Sequence, residues 1–285
     1  MKIRLHENGW TVFVDDLDIR DITQEQVNII TKYIFTNMVV VFKKQSLTPE
    51  DEVRICEMFG HIENFKDSAL RKNFLLEHGD GNIIRVSGAK DKDGEPGLFA
   101  HVTELEWHCN RVSDPNRKPF IWLYADSGSK GSVTSWLNNI MTYNDLPDQK
   151  KEEFKNIKLN VGDVLQYTEY LFEDEFSPPS IKQHRPNLVQ TNPMGVTGLF
   201  FSFNQIHFIE GMKHEDGRAF IEELRQFVEQ PKYIYDHHWD DGDLVISEQL
   251  LSIHKRWEFP EIDKRVVHRI AFDYSNIDLK DLVNK

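Results

Sequence analysis

Two segments near the start of the chain carry apolar residues at helical spacing. The first follows Thr23 and Gln26, which stand in a capping-box arrangement, and its apolar positions are Val27, Ile30 and Ile34. The second begins at Thr48, with proline in the first helical position, and Gly60 marks its end. The apolar run 39–42 between them is typical of a strand. The first third of the chain is therefore predicted to be mixed α/β.

The rest of the chain is dominated by short apolar and aromatic runs separated by turn-forming residues. We predict strands in five of these runs, 120–124, 163–167, 198–203, 244–246 and 266–272. One amphipathic helix, with apolar positions from Phe220 to Val228, interrupts them and stops before Pro231. The segment 173–180 is predicted to be a mobile surface loop. Because a regular βαβ rhythm is missing, we predict one domain over residues 1–285 with an antiparallel double sheet or barrel and helices outside.

Composition and charge limit the classes of function. A net charge of −13 argues against nucleic acid as the main partner, because proteins that bind it present basic surfaces. No run approaches the roughly 18 consecutive apolar residues of a membrane span, and the first residues lack the apolar core of a secretory signal. The two cysteines, Cys56 and Cys109, cannot form a disulfide framework, so a cytoplasmic location is predicted. Assembly into a homo-oligomer is left open.

Two of the twelve histidines stand in a context that indicates metal ligation. His108 follows an aromatic residue, and Asn110 comes two positions later, so both side chains share one face if the segment is a strand. His254 follows the predicted strand 244–246 and is the candidate for a distant second ligand. Two histidines and one carboxylate on one side of a metal are the ligand set of non-haem Fe(II) oxygenases. Here an asparagine stands where that chemistry uses a carboxylate.

The last predicted strand carries two arginines on one face. Arg265, Val267 and Arg269 alternate with apolar residues of the opposite face. From the residues alone, two interpretations stay open. The arginine face is either solvated, or it lies inside a barrel, where each guanidinium would bind a carboxylate through paired hydrogen bonds.

Several motifs together resemble the taurine dioxygenase (TauD/TfdA-like) family of Fe(II)/2-oxoglutarate-dependent oxygenases. They follow in the order of that family over nearly the whole chain and comprise the run 39–50, Trp107-His108, 131–136, 239–244 and the eleven-residue spacing from His254 to Arg265. The resemblance implies a mainly β protein with a double-stranded β-helix, or jelly-roll, core and N-terminal and inserted helices. It also implies an enzyme that hydroxylates a small molecule with release of succinate and CO2.

The resemblance also implies roles for individual residues. Fe(II) is expected on His108, Asn110 and His254, of which the two histidines are the catalytic pair. The cosubstrate 2-oxoglutarate is expected on the other matching positions: Thr134 and Arg265 at its far carboxylate, and Arg269 at its near carboxylate or at an anionic substrate. This implication favours the barrel interior for Arg265. The identity of the substrate cannot be read from the sequence.

Asn110 departs from the Asp or Glu of the family pattern and leaves three alternatives. In the first, its amide oxygen is a weak ligand, or Glu106 or Asp114 helps instead. Strand alternation places Glu106 on the face of His108, although an ordinary exposed strand residue is the competing interpretation. In the second, water or a halide fills the open position, as in related halogenases. In the third, the fold has become an impaired small-molecule-binding protein.

Overall fold

The described residues form more strands than helices. The computed structural model describes residues 1–68, 70, 72–162 and 183–283. Its strands are β1 (Lys2–Leu5), β2 (Val12–Asp15), β3 (Val39–Phe42), β4 (Ile84–Ser87), β5 (Leu105–His108), β6 (Phe120–Ser127), β7 (Val133–Asn138), β8 (Leu159–Gly162), β9 (Gln183–His184), β10 (Val189–Thr191), β11 (Thr197–Leu199), β12 (Ile206–Ile209), β13 (Ile234–His238), β14 (Leu244–Glu248), β15 (Ser252–Arg256) and β16 (Val266–Phe272). The α-helices are α1 (Gln24–Asn37), α2 (Pro49–Phe59), α3 (Asn139–Asn144), α4 (Asp148–Lys155), α5 (His214–Val228) and α6 (Leu279–Val283).

Two sheets form the layers of a jelly roll. The larger sheet has the strand order β1-β2-β3-β14-β6-β16-β4, and the smaller has the order β13-β7-β15-β5. The central pairings are antiparallel, whereas β2 and β3 pair in parallel. One apolar cluster joins the sheets, because it contains Val245 and Val267 of the larger sheet together with Trp136 of the smaller. The predicted double sheet is therefore confirmed.

The larger sheet is covered on both faces. Its other face packs against α1 and α2 in a second cluster, to which Ile34 and Ile55 contribute from the helices. Strands that are buried on both faces read as continuous apolar runs rather than as alternating ones. This explains why all four residues of β3 are buried.

Local end signals correctly predicted three of the helices, α1, α2 and α5, whereas α3, α4 and α6 were not predicted. Helix α1 begins after Thr23, whose capping box with Gln26 is formed, and α2 begins with proline after Thr48 and is capped by Gly60. Helix α5 ends at Val228, before the proline, as predicted. In the part of the chain that the structure describes, no helix is long and apolar enough to cross a membrane.

One predicted strand is wrong beyond its first residues. The strand predicted over 198–203 is only β11, which ends at Leu199. The chain then leaves the sheet because Ser202 turns toward β5, where its hydroxyl accepts a hydrogen bond of 3.1 Å from the Cys109 amide. The predicted strand 163–167 and the predicted loop 173–180 lie outside the described residues.

Candidate active site

A pocket at the two sheets contains all six residues that the sequence singled out. It has about 410 Å³ of open space. The six are His108, Asn110, Thr134, His254, Arg265 and Arg269. The remaining lining residues are mostly apolar, namely Val86, Phe99, Leu105, Leu123, Arg256 and Val267. Among the described residues, the lining thus holds three arginines and no carboxylate.

Two histidines face each other across neighbouring strands. His108 of β5 is paired directly with His254 of β15, and their ring centroids are 4.2 Å apart. The Nδ1 atom of His108 donates a hydrogen bond of 2.7 Å to the Glu106 carbonyl. This bond selects the tautomer whose Nε2 carries a free lone pair, which is the form that ligates a metal.

The surroundings keep both imidazoles neutral. Burial lowers the pKa of His108 to about 4. Burial also lowers the pKa of His254 well below its usual value, and electrostatic repulsion of a proton there by the neighbouring His108 and by the positive charge of Arg269 adds to this shift. Neutral histidine is the metal-binding form, because a protonated imidazole has no lone pair to offer. The pair is therefore ready to bind a cation near neutral pH.

Asn110 lies in the turn after β5, and its amide is held from two sides. Arg269 donates a hydrogen bond of 2.7 Å to the side-chain oxygen of Asn110. The amide nitrogen lies 3.5 Å from Nε2 of His254. The backbone N–H of Asn110 donates to the Gln249 side chain at 3.1 Å. The asparagine is thus fixed between the second histidine and a buried arginine.

The two carboxylates proposed as substitute ligands are engaged elsewhere. Glu106 pairs with Arg225 at 3.1 Å and with Lys255 at 3.5 Å, and Asp114 accepts a hydrogen bond of 2.9 Å from Arg111. Neither acidic residue lines the pocket. Among the described residues, no group of three or more histidine, cysteine, aspartate or glutamate side chains could hold a metal.

A β-bulge explains why alternation misplaced Glu106. His254 pairs with His108, but two residues later Arg256 pairs with Leu105, so β5 contains one extra residue here. The extra residue shifts the alternation by one position. Leu105 and His108 therefore both line the pocket, and the Glu106 carboxylate lies with its ion pairs outside it. The prediction that Glu106 shares the face of His108 is wrong.

Arg265 brings an unused hydrogen-bond donor to the pocket. The residue stands just before β16 and is 3% exposed. Its Nε donates to the Ser132 hydroxyl at 3.3 Å, whereas its buried Nη1 has no hydrogen-bond partner among the described residues. Burial, together with the charge of Arg256, lowers the pKa of Arg265 to about 9. A buried cation with an open donor is costly unless an anion joins it.

Thr134 and Arg269 complete the polar part of the pocket. The Thr134 hydroxyl accepts a hydrogen bond of 2.9 Å from the indole N–H of Trp239 and is therefore held in place on β7. Burial lowers the pKa of Arg269 to about 10, and the charge of Arg111 contributes. A cationic pocket of this kind is suited to carboxylate ligands.

Sequence reasoning did not assign the other lining residues to the site, and these include Arg256, Phe99 and Leu105. Arg256 could have been found, because it stands two positions after His254 on one strand and so shares its face. Phe99 and Leu105 left no such signal. Phe99 lies outside the strands, and the position of Leu105 depends on the bulge.

Comparison with known proteins gives related sequences over almost the whole chain. The sequence model of the taurine catabolism dioxygenase TauD, TfdA family matches residues 7–271. An alpha-ketoglutarate-dependent 2,4-dichlorophenoxyacetate dioxygenase of Burkholderia sp. (strain RASC) is 23% identical over 267 residues, which cover 90% of this chain and 89% of the relative. A pentalenolactone F synthase of Streptomyces arenae is 22% identical over 268 residues, covering 88% of this chain and 87% of the relative.

Solved structures confirm the jelly-roll fold. The crystal structure of AAD-2 in complex with Mn(II) and N-oxalylglycine has a TM-score of 0.78 at 22% identity and covers 96% of this chain and 98% of its own. A taurine dioxygenase from Burkholderia xenovorans has a TM-score of 0.72 at 18% identity and covers 92% of this chain and 85% of its own. The similarity extends through both sheets and the flanking helices.

Proposed function

This chain belongs to the taurine catabolism dioxygenase TauD, TfdA family, and we propose that the pocket between its two sheets is the site at which it oxidises a small molecule. The enzyme is an Fe(II)- and 2-oxoglutarate-dependent dioxygenase. One observation carries the assignment of the pocket. Two neutral, facing imidazoles and a buried guanidinium with an open donor share the same cavity.

His108 and His254 are the proposed histidine ligands of the iron, and Asn110 is the proposed third ligand. The amide oxygen of Asn110 has two lone pairs and accepts one bond from Arg269, whereas the amide nitrogen faces Nε2 of His254, so ligation by the oxygen requires the side chain to rotate when the metal binds. The amide oxygen is neutral and therefore a weaker donor than a carboxylate, and the bond from Arg269 withdraws further electron density from it. When bound, Fe(II) with 2-oxoglutarate and O2 supplies the oxidation of a C–H bond and releases succinate and CO2.

Arg265 and Thr134 are the proposed partners of the far carboxylate of 2-oxoglutarate. The open Nη1 of Arg265 would gain a charge-assisted bond, which is about twice as strong as a neutral one. Thr134 accepts a bond from Trp239, so its own hydroxyl proton is available to the same carboxylate. Arg269 is proposed to orient the near carboxylate or an anionic group of the substrate.

The substrate is proposed to be a small carboxylic acid with an apolar body. The pocket lining combines arginine side chains with the apolar side chains of Val86, Phe99 and Leu105, and it contains no acidic residue among those that the structure describes. One of the relatives acts on 2,4-dichlorophenoxyacetate, which has this combination of groups. We infer the chemical class from the pocket and propose no single compound.

Succinate release tests this function. The protein with Fe(II), ascorbate and 2-oxoglutarate is incubated with aryloxyacetates, other aromatic acids, amino acids and sulfonates. We expect at least one aromatic acid to raise succinate formation and to yield a product heavier by one oxygen atom. Absence of succinate with every acid, together with absence of 2-oxoglutarate binding, would favour the impaired small-molecule-binding protein.

Halogenation is the less favoured variant of this chemistry. A halide would need the space beside the two histidines, and the Asn110 side chain lies there, 3.5 Å from Nε2 of His254. We therefore expect the product mass to be the same with chloride as with acetate as the buffer anion. A chlorinated product would reverse this preference.

Two further proposals concern the cell. A cytoplasmic location is supported by Cys56 and Cys109, which are buried thiols that are not joined in a disulfide. Assembly into a homo-oligomer is the second proposal, and light scattering at working concentration tests it.

A further inference from the structure

Arg256 lies beside the proposed metal site. It stands two residues after His254 on β15, and both residues line the pocket. The residue is 4% exposed. A buried guanidinium needs several acceptors, and three acceptors of this one belong to a single short segment of chain.

Three backbone carbonyls of that segment accept hydrogen bonds from Arg256. Nη1 donates to the carbonyl of Phe99 at 2.8 Å, and Nη2 donates to the carbonyls of His101 and Thr103 at 2.7 Å and 2.6 Å. We call residues 99–103 the wall segment. Because a guanidinium is planar and its N–H groups diverge at fixed angles, it holds the three carbonyls in one mutual arrangement.

Phe99 has a backbone conformation that needs such support. Its φ is +57°, in the left-handed region, which is strained for a residue other than glycine. Such a conformation persists only where the surroundings hold it. The hydrogen bond from Arg256 to the Phe99 carbonyl helps to stabilise this conformation, and Phe99 itself lines the pocket.

The wall segment also leads directly to the bulged strand. Leu105 follows it closely, pairs with Arg256 across the sheet and lines the pocket as Phe99 does. Arg256 thus contacts the chain at both ends of one apolar wall. Its guanidinium is engaged with protein carbonyls, so an effect on the substrate would pass through these two apolar residues.

We propose that Arg256 is a positioning residue that sets substrate specificity: by holding the wall segment, it determines where Phe99 and Leu105 stand and which apolar bodies fit beside the metal. This inference rests on the proposed function of the pocket and goes beyond it. The ligand class it concerns is the apolar portion of a small acid. The residues that bind iron and 2-oxoglutarate are separate from the wall segment.

Arg256→Lys is the test variant, because lysine keeps the positive charge but cannot hold three carbonyls with a rigid fork. Arg85→Lys is the matched control. Arg85 is also buried and donates to the carbonyls of Ala89 and Glu95 at 2.8 Å and 2.7 Å, but neither it nor these partners line the pocket. Both variants remove an arginine that holds backbone carbonyls, and only the carbonyls held by Arg256 include that of a pocket-lining residue, Phe99.

The probes are phenylalkanoates from phenylacetate to 5-phenylpentanoate. Each is titrated anaerobically into the enzyme with Fe(II) and 2-oxoglutarate, and binding is followed by the change in the visible band of that complex. We expect Arg256→Lys to change the ratio of dissociation constants between the longest and the shortest acid by about tenfold, since one methylene in an apolar pocket is worth that much or more. Affinity for 2-oxoglutarate should stay as in the wild type, and Arg85→Lys should keep the wild-type ratio.

Phe99→Gly provides an independent variant. Glycine adopts the left-handed conformation without strain and removes the ring from the wall. We expect it to shift the same ratio, and we expect the double variant with Arg256→Lys to show less than the combined effect, since both act on one wall. If Arg256→Lys does not fold, Arg256→Gln takes its place in the same titration, because glutamine also donates hydrogen bonds but cannot hold three carbonyls.

Three results would overturn the role of Arg256: an unchanged ratio in Arg256→Lys or Phe99→Gly, an equal change in the Arg85→Lys control, or a wild-type enzyme that binds none of the acids. A wild-type enzyme without any visible band contradicts the proposed function itself. A normal band with an unchanged ratio contradicts only the inference about Arg256, so the two failures are distinguishable.

Discussion

Arg269 donates a hydrogen bond of 2.7 Å to the side-chain oxygen of Asn110. The bond joins the last long strand to the turn after β5, beside the two facing histidines. It also explains how a neutral residue is tolerated where iron oxygenases of this kind use a carboxylate. The buried arginine keeps an acceptor, and the amide oxygen keeps one lone pair.

Asn110→Asp should strengthen iron binding. A carboxylate brings a negative charge, and its two oxygens allow one to face Arg269 and the other to face the metal. We expect Fe(II) affinity to rise by about tenfold or more, because ligand charge dominates the affinity of hard cations. Competition with a chelator under anaerobic conditions measures it.

Asn110→Leu is the control for this change, because it keeps the approximate size and removes every ligand atom. A weaker affinity than in the wild type is expected if the amide oxygen ligates. Equal affinity in the wild type and in both variants would show that position 110 takes no part in metal binding.

Arg265→Leu should weaken 2-oxoglutarate binding by about a hundredfold, the loss expected for one or two charge-assisted hydrogen bonds. Because this arginine has an open buried donor, its removal should not lower the free energy of unfolding. Anaerobic titration of the visible band gives the affinity, and thermal denaturation gives the stability. An unchanged affinity for 2-oxoglutarate would mean that the cosubstrate lies elsewhere.

Glu106→Gln should leave Fe(II) affinity unchanged. The carboxylate of Glu106 is engaged by Arg225 and Lys255, and the bulge in β5 turns it away from the two histidines. The chelator competition used for the Asn110 variants measures this as well. A clear loss of metal affinity in this variant would instead identify Glu106 as the missing carboxylate ligand.

Glu248→Gln should change how stability depends on pH. Burial raises the pKa of Glu248 to about 7, although two backbone N–H groups oppose the shift. Because folding raises the pKa of this carboxyl, its contribution to the free energy of unfolding is complete below its pKa in the unfolded chain, about 4.3. That contribution is lost as the pH rises from there to about 7, the pKa in the folded chain. The wild type should lose on the order of 1.4 kcal/mol per unit of pKa shift over this window.

The variant lacks this titration, so the difference in unfolding free energy, variant minus wild type, should grow between pH 5 and pH 7 and then level off. Urea unfolding at several pH values measures it, and the exposed Glu258→Gln variant controls for the change in net charge. A difference that is constant with pH would contradict the account.

Features with local chemical causes were predictable from the sequence. The capping box of Thr23 and the proline after Thr48 act within one helical turn, so both helix starts follow from neighbouring residues. The run 198–203 shows the limit of such reasoning. Its aromatic residues suit a strand, but a contact between Ser202 and the distant Cys109 takes the chain out of the sheet.

The site was predictable only in part, because its geometry depends on pairing across the sheet. The resemblance to a family brought His108, His254 and Arg265 together, and no local pattern would have done so. The bulge between Leu105 and His108 is a one-residue irregularity, and a shift of one residue exchanges the two faces of a strand. For this reason alternation failed at Glu106, and the apolar wall went unnoticed.

The two facing histidines and Arg265 are proposed to form a single site that binds both iron and 2-oxoglutarate. Anaerobic crystals grown with Fe(II) and 2-oxoglutarate, measured on both sides of the iron absorption edge, test it most directly. We expect one anomalous peak at bonding distance from a ring nitrogen of both His108 and His254, and 2-oxoglutarate density that ends on Arg265. An anomalous map without a peak between the two imidazoles, in crystals that contain iron elsewhere or not at all, would contradict it.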